Sequence, residues 1–294
     1  MAEELAAAEP RRRSVLCASP LGLHRMAYRE WGDPRNRNVV LCVHGLARTG
    51  RDFDELARAL CGQFRVVCPD VAGRGDSDRL PDAKLYAVPQ YAADMVTLIA
   101  RLEVEAVGWV GTSMGALIGM ALAAQKGAPV SRLVLNDAGP VISRSSLERI
   151  GSYLGKAPAF TSIEKAEEYV RAVSTTFGPH SDAQWRFLTD TWVRKHEDGN
   201  YRAHYDPKIA EPFRTDMPPG DTDLWAIYDA VHCPTLLLRG ELSDLISRET
   251  AAAMAQRGPK ARVVEIKGVG HAPTLMQADQ IAVVRDFLME GETP

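Results

Sequence analysis

One serine has the surroundings of a nucleophile. Ser113 lies in Gly111-Thr-Ser-Met-Gly115, with a glycine two residues to either side. A serine hydroxyl is a poor nucleophile until a base takes its proton, and the base needs a carboxylate to fix its tautomer. Because Gly-x-Ser-x-Gly also describes an ordinary strand–helix turn, the rest of the chain must supply those groups. Among seven histidines, His271 is the best candidate base: it sits in Gly268-Val-Gly-His-Ala-Pro273, directly after the apolar run Val263–Ile266. His44 ends another apolar run and reads as a brace for its loop, with substrate contact as its other reading. His24 and His232 have no motif around them, and His180, His196 and His204 read as solvated.

The acid should follow a different strand and precede the histidine. Asp244, in Arg239-Gly-Glu-Leu-Ser-Asp244, is the expected acid, because a long loop gives a triad carboxylate its reach. Asp137, in Leu135-Asn-Asp-Ala-Gly139, is the alternative, its other reading being a tie at the entry to the following segment. Glu241 ranks third. An anionic tetrahedral intermediate needs N–H donors. Met114, at a helix start where the dipole favours an anion, offers one backbone N–H. Leu46, in His44-Gly-Leu-Ala-Arg-Thr-Gly50, offers a second beside a glycine that permits close approach. Arg48, Arg74 and Asp76 fall in loops at the same edge. Arg74 is a candidate for a substrate carboxylate, and an ion pair with Asp70 or Asp76 is its expected role.

These positions require a particular scaffold. The apolar run Ala106–Val110 predicts a buried strand, and Met114–Ala124 a helix apolar nearly all round. A corner that sharp holds Ser113 in strained backbone and needs glycine where chains approach. Strands are expected at Val15–Cys17, Leu23–Trp31, Asn38–His44, Phe64–Cys68, Arg132–Leu135, Thr235–Leu238 and Val263–Ile266. Helices are expected over Phe53–Leu60, Pro89–Leu102, Arg248–Gln256 and Gln277–Met289. Such alternation implies βαβ units and a mostly parallel sheet, with ligands at the carboxyl ends of its strands. Residues 14–139 and 232–294 would form this core, and residues 1–13 a mobile tail.

Between 140 and 231 the alternation breaks into helices: Ser146–Leu154, one from Ser162 with a Thr161/Glu164 capping box, Asp182–His196 and Asp223–Val231. This segment holds twelve of the chain's twenty Phe, Trp and Tyr residues. It reads as an inserted helical cap, most aromatics forming its own core and one or two, with Trp185 and Trp192 as candidates, lining an apolar pocket.

Composition sets limits. Of 294 residues, 46% are hydrophobic and 25% charged, as in ordinary globular proteins. A net charge of −3 makes no case for nucleic-acid or anionic-membrane partners. Five scattered cysteines suggest reduced core thiols, and no Cys/His spacing suggests a metal. Neither a signal-peptide order nor a membrane-length apolar segment is present, so a cytoplasmic protein is expected. The oligomeric state, monomer or dimer, is open.

Taken together, the His44-Gly45 loop, Asp70-Val-Ala-Gly-Arg-Gly-Asp-Ser77, the Ser113 elbow, Leu135-Asn-Asp-Ala-Gly-Pro140, Arg239–Asp244 and Gly270-His271 resemble the α/β-hydrolase superfamily, over about residues 22–287. The resemblance implies an α/β-hydrolase fold with a helical cap, acyl transfer through Ser113, and no metal or organic cofactor. It implies a carboxylic-ester hydrolase or lactonase acting on a small to medium, largely apolar substrate. Members with an aspartate nucleophile are disfavoured by the serine. Hydrolases of carbon–carbon bonds in ring-fission products share the elbow, but their oxyanion loop differs from Leu46-Ala-Arg-Thr-Gly50. Cofactor-free haloperoxidases, and small-molecule receptors that keep the triad without turnover, are the remaining alternatives.

Overall fold

The computed structural model describes residues 9–215 and 217–290. Apolar runs become buried strands: every residue of β3 (Val39–Val43) is apolar and buried, and β11 (Thr235–Gly240) is buried throughout, Arg239 included, as expected when helices cover both sheet faces. In chain order the hairpin β1 (Arg11–Ser19) and β2 (Gly22–Trp31) comes first. The core then continues through β3, α1 (Asp54–Leu60), β4 (Arg65–Pro69), α2 (Val88–Arg101), β5 (Val107–Thr112), α3 (Met114–Ala123) and β6 (Val130–Asn136). A long segment follows: β7 (Val141–Ile142), α4 (Arg144–Tyr153), α5 (Ile163–Val173), α6 (Asp182–Asp190), β8 (Val193–Lys195), β9 (Tyr201–Ala203), α7 (Pro212–Thr215), β10 (Thr222–Asp223) and α8 (Trp225–Asp229). The core resumes with β11, α9 (Arg248–Met254), β12 (Arg262–Ile266) and α10 (Ala278–Met289).

The main sheet has eight strands in the order β1-β2-β4-β3-β5-β6-β11-β12, antiparallel at β1–β2 and β2–β4 and parallel elsewhere. Within it β6 pairs directly with β11, so the chain leaves the sheet after β6 and returns to the adjacent place about 100 residues later. The strands between them form two small sheets of their own, β7–β10 and β8–β9.

Four local expectations change. Arg11, Arg12 and Arg13 belong to β1, where Arg11 pairs with Glu30 in register, so part of the expected tail is sheet; residues 1–8 lie outside the described residues. The cap of α5 is Ser162, whose Oγ accepts from the Lys165 N–H, not Thr161; the full capping box is instead Ser181 with Gln184 on α6. The helix expected to reach His196 stops at Asp190, because Val193 turns inward and Gly199, at φ 81°, closes a hairpin instead. Finally, the hairpin register sets Cys17 opposite His24, and both meet Asp94 of α2, with His24 Nε2 at 3.0 Å from Asp94 Oδ2. Linear spacing hid this cluster. Burial and the Asp94 charge push the Cys17 thiol up to about 12. None of the five cysteines is in a disulfide.

Candidate active site

The site begins at the β5–α3 corner. Ser113 has φ 52° and ψ −114°, a conformation few L-residues adopt. Its neighbours explain the glycines: a Cβ on Gly111 would lie 2.3 Å from the Gly115 carbonyl carbon, and one on Gly115 would lie 1.9 Å from the Val43 oxygen. Thr112 pairs with Asn136 across β5–β6, and the Ser113 N–H donates to the Asn136 carbonyl at 3.0 Å. The next residue on β6's side is Asp137, so sheet register alone places it beside the serine.

His271 reaches both. Its Nε2 is 3.0 Å from Ser113 Oγ and its Nδ1 2.8 Å from Asp137 Oδ2. Asp137 is fully buried and also accepts the Gly240 N–H at Oδ1 (2.8 Å) and the Ser243 hydroxyl at Oδ2 (2.7 Å). Every partner is a donor, which suits an acceptor-only carboxylate. The His271 loop is itself tied down: Thr176 donates to the His271 carbonyl at 2.9 Å, Asn136 Nδ2 to the Pro273 carbonyl at 2.8 Å, and the Gly268 N–H to Glu241 at 2.9 Å.

Asp244 is not the partner of His271. Its carboxylate points outward, half exposed, into a two-point ion pair with Arg149 (2.7 and 3.0 Å). The reason is register: β6 lies between β5 and β11, so a residue just past β6 is already next to Ser113 and needs no long loop. The β11 loop supplies Gly240 and Ser243, the donors that hold Asp137. Ser243 and Asn136 escaped sequence reasoning; the polar Asn136-Asp137 pair ending an apolar strand was the available signal.

The opposite wall is the loop after β3. His44 is buried; the Val71 N–H donates to its Nε2 at 2.9 Å, so Nδ1 carries the proton and donates to the Gly45 carbonyl at 2.7 Å. Burial lowers its pKa to about 4. His44 therefore braces the loop and is absent from the cavity wall. A Cβ on Gly45 would lie 3.7 Å from Ser113 Cβ, so this loop runs against Ser113 and Leu46 lines the same cavity.

Arg74 departs from both expectations. It is fully buried, donating to the carbonyls of Leu46 (2.8 Å) and Ala72 (2.7 Å) and to Tyr91 Oη (2.8 Å), between the Tyr86 and Tyr91 rings. Asp70 and Asp76 face Arg29 instead, at 3.8 and 3.7 Å. Turned beneath the loop toward its carbonyls, Arg74 fastens Leu46 and does not face the cavity that holds Ser113.

That cavity, about 180 Å³, has Leu46, Ser113 and His271 on its floor side. From the 140–231 segment come five aromatic residues, Tyr153, Tyr169, Phe177, Trp192 and Tyr205, more than the one or two expected. Trp192 stacks on Tyr169 with centroids 5.7 Å apart. Trp185 does not line it; it packs on His180, centroids 5.1 Å apart, beneath Arg171. A larger cleft of about 790 Å³, walled by Arg12, Arg25, Arg29 and Arg194, contains none of the Ser113–His271–Asp137 chain. Size is a poorer guide here than chemistry.

No helix among the described residues is long and apolar enough to cross a membrane. The family model described as the alpha/beta hydrolase family matches residues 40–284. A 3-hydroxybutyrate-oligomer hydrolase of Cupriavidus necator is 52% identical over 287 residues, covering 95% of this chain and 98% of that protein. An alpha/beta hydrolase from Novosphingobium aromaticivorans superposes with a TM-score of 0.86 at 38% identity, covering 96% of this chain and 98% of that one. A Rickettsia typhi protein superposes with a TM-score of 0.89 at 30% identity, covering 97% and 100%. With residues 40–284 inside the family match and a 52% identical relative aligned over nearly its whole length, this chain belongs to the alpha/beta hydrolase family and is a hydrolase.

Proposed function

We propose that the protein is a serine esterase acting on short linear esters of a hydroxy acid. The observation that carries the reading is the unbroken hydrogen-bonded chain from Ser113 through His271 to Asp137, opening on an aromatic-walled cavity. The substrate class is supported by the 52% identical relative, whose name gives 3-hydroxybutyrate oligomers.

Ser113 Oγ attacks the ester carbonyl as its proton passes to His271 Nε2. Asp137 holds the Nδ1 proton and steadies the imidazolium that forms. The N–H groups of Leu46 and Met114 receive the developing oxyanion, each donor contributing roughly 3 kcal/mol of barrier lowering. His271 then protonates the departing alcohol, and a water activated by the same nitrogen clears the acyl-enzyme. Residues 140–231 act as the lid that limits acyl size through Trp192 and Tyr169.

The test is fluorophosphonate labelling combined with a substrate panel. Wild type should be labelled and Ser113→Ala should not. The 3-hydroxybutyrate dimer and trimer should be cleaved faster than butyrolactone. Labelling that survives Ser113→Ala would sink the mechanism, and turnover confined to lactones would sink the substrate class.

A further inference from the structure

Two guanidinium groups stand in the wall of the Ser113 cavity, Arg48 and Arg149. Arg48 is held by the protein on two of its three nitrogens. Its Nε and Nη2 grip Asp52 at 2.7–3.1 Å, and Nη2 also donates to the Leu188 carbonyl at 3.1 Å. Its side chain is only 15% exposed.

Arg149 is different. Its fork is taken by Asp244 alone among the described carboxylates, with Nε at 2.7 Å from Oδ2 and Nη2 at 3.0 Å from Oδ1. The two side chains are 43% and 50% exposed. Water screens such a pair, so it contributes little and exchanges easily. Asp244 itself is outside the cavity wall, held from behind by Ser146 Oγ on its carbonyl at 2.9 Å. Ile150 and Tyr153 of α4, and Leu154 just past its end, line the cavity beside Arg149. One helix turn thus presents a two-point carboxylate binder next to an apolar wall, complementary to a molecule with an acid at one end and hydrocarbon along its length.

We propose that Arg149 is a carboxylate subsite: it binds the free acid end of the substrate, whose carboxylate replaces that of Asp244. This rests on the linear-ester reading above and adds a direction to it. In a hydroxy-acid dimer the unit that carries the free acid is, by constitution, the alcohol half of the ester. Arg149 therefore holds the leaving group, while the acyl half lies toward Ser113. Asp244 keeps the fork oriented when the cavity is empty and competes with the substrate for it.

Binding can be measured without turnover. Calorimetric titration of Ser113→Ala protein with the 3-hydroxybutyrate dimer and with its methyl ester compares a free acid with a neutral match. The free acid should bind about tenfold tighter, and adding Arg149→Met should remove that preference. Asp244→Asn should strengthen binding of the acid, and Arg149→Lys should restore part of the preference. Equal affinity for the two ligands, or an equal loss for both in Arg149→Met, would overturn the proposal and leave Arg149 a structural residue. If the acid binds through Arg149 but active enzyme cleaves neither dimer nor trimer, the substrate reading fails while the carboxylate subsite stands.

Discussion

Asp137 meets His271 at 2.8 Å from a wholly buried position just past β6, the strand that pairs directly with β5, which runs into Ser113. The acid and the serine are thus lateral neighbours one residue past a matched pair, Thr112 and Asn136, and the histidine arrives from β12 to span them. The β11 loop contributes Gly240 and Ser243 to the acid's oxygens, which fixes the carboxylate without supplying it.

Asp137→Asn should lower kcat on a simple ester by on the order of 10⁴, because the amide favours the wrong imidazole tautomer. Asp244→Asn should cost less than about tenfold on the same ester, since its partner Arg149 lies outside the proton relay. Steady-state kinetics on p-nitrophenyl butyrate decide the matter. A larger loss for Asp244→Asn would restore it as the acid.

The elbow glycines are steric requirements. Gly115→Ala would drive a methyl into the Val43 carbonyl, a backbone group that cannot swing away. The expected cost is about 3 kcal/mol or more. Gly62→Ala, where an added Cβ meets nothing within 4 Å, should change stability by no more than about 0.5 kcal/mol. Urea unfolding of the two variants checks the contrast, and equal midpoints would refute it.

Arg74 positions the loop that carries Leu46. Arg74→Lys loses the fork that holds three oxygen acceptors at once, so stability should fall by about 2 kcal/mol. If the Leu46 amide receives the oxyanion as proposed, kcat should fall while KM changes little. A rise in KM alone would instead indicate that Arg74 serves substrate binding.

His44 makes folding sensitive to acid. An unfolded imidazole titrates near 6.5, and burial in the fold lowers this one to about 4. Between those values the unfolded chain takes up the extra proton, so the stabilisation is complete above about pH 6.5. It shrinks as pH falls and is gone below the folded value. From pH 7.5 to 5 the loss from this residue should be about 2 kcal/mol. Protonation would also set an Nε2–H against the Val71 N–H. Denaturant unfolding at both pH values, for wild type and His44→Gln, isolates it: the variant should show a smaller pH dependence by about that amount. Parallel pH profiles would mean that His44 is not the titrating group.

Much of the scaffold could be read in one dimension. The buried strand β3 is a continuous apolar run, β11 is built on Leu236–Leu238, and α3 is a helix apolar nearly all round, so local composition already identified them. Gly111, Ser113 and Gly115 likewise declare their corner, because sharp backbone turns leave few residue choices. Less visible were features that depend on pairing: the hairpin β8–β9 where a longer helix was expected, and the Cys17–His24–Asp94 cluster made by register across β1–β2 and α2.

From the sequence alone came Ser113 and His271, which the fold brings within 3.0 Å of each other, the parallel α/β sheet and the break between 140 and 231, since each rests on residue types within a short window. Only the tertiary structure decided between two carboxylates. Asp137 and Asp244 both follow strands and both precede His271, so order and spacing leave them alike. Strand order separates them: β6 lies against β5, which turns Asp137 inward beneath His271, while Asp244 faces solvent and Arg149. The same is true of Arg74 and Arg149. Which guanidinium fastens a loop and which stands in the cavity wall depends on the side of the chain it emerges from, and that is set by packing.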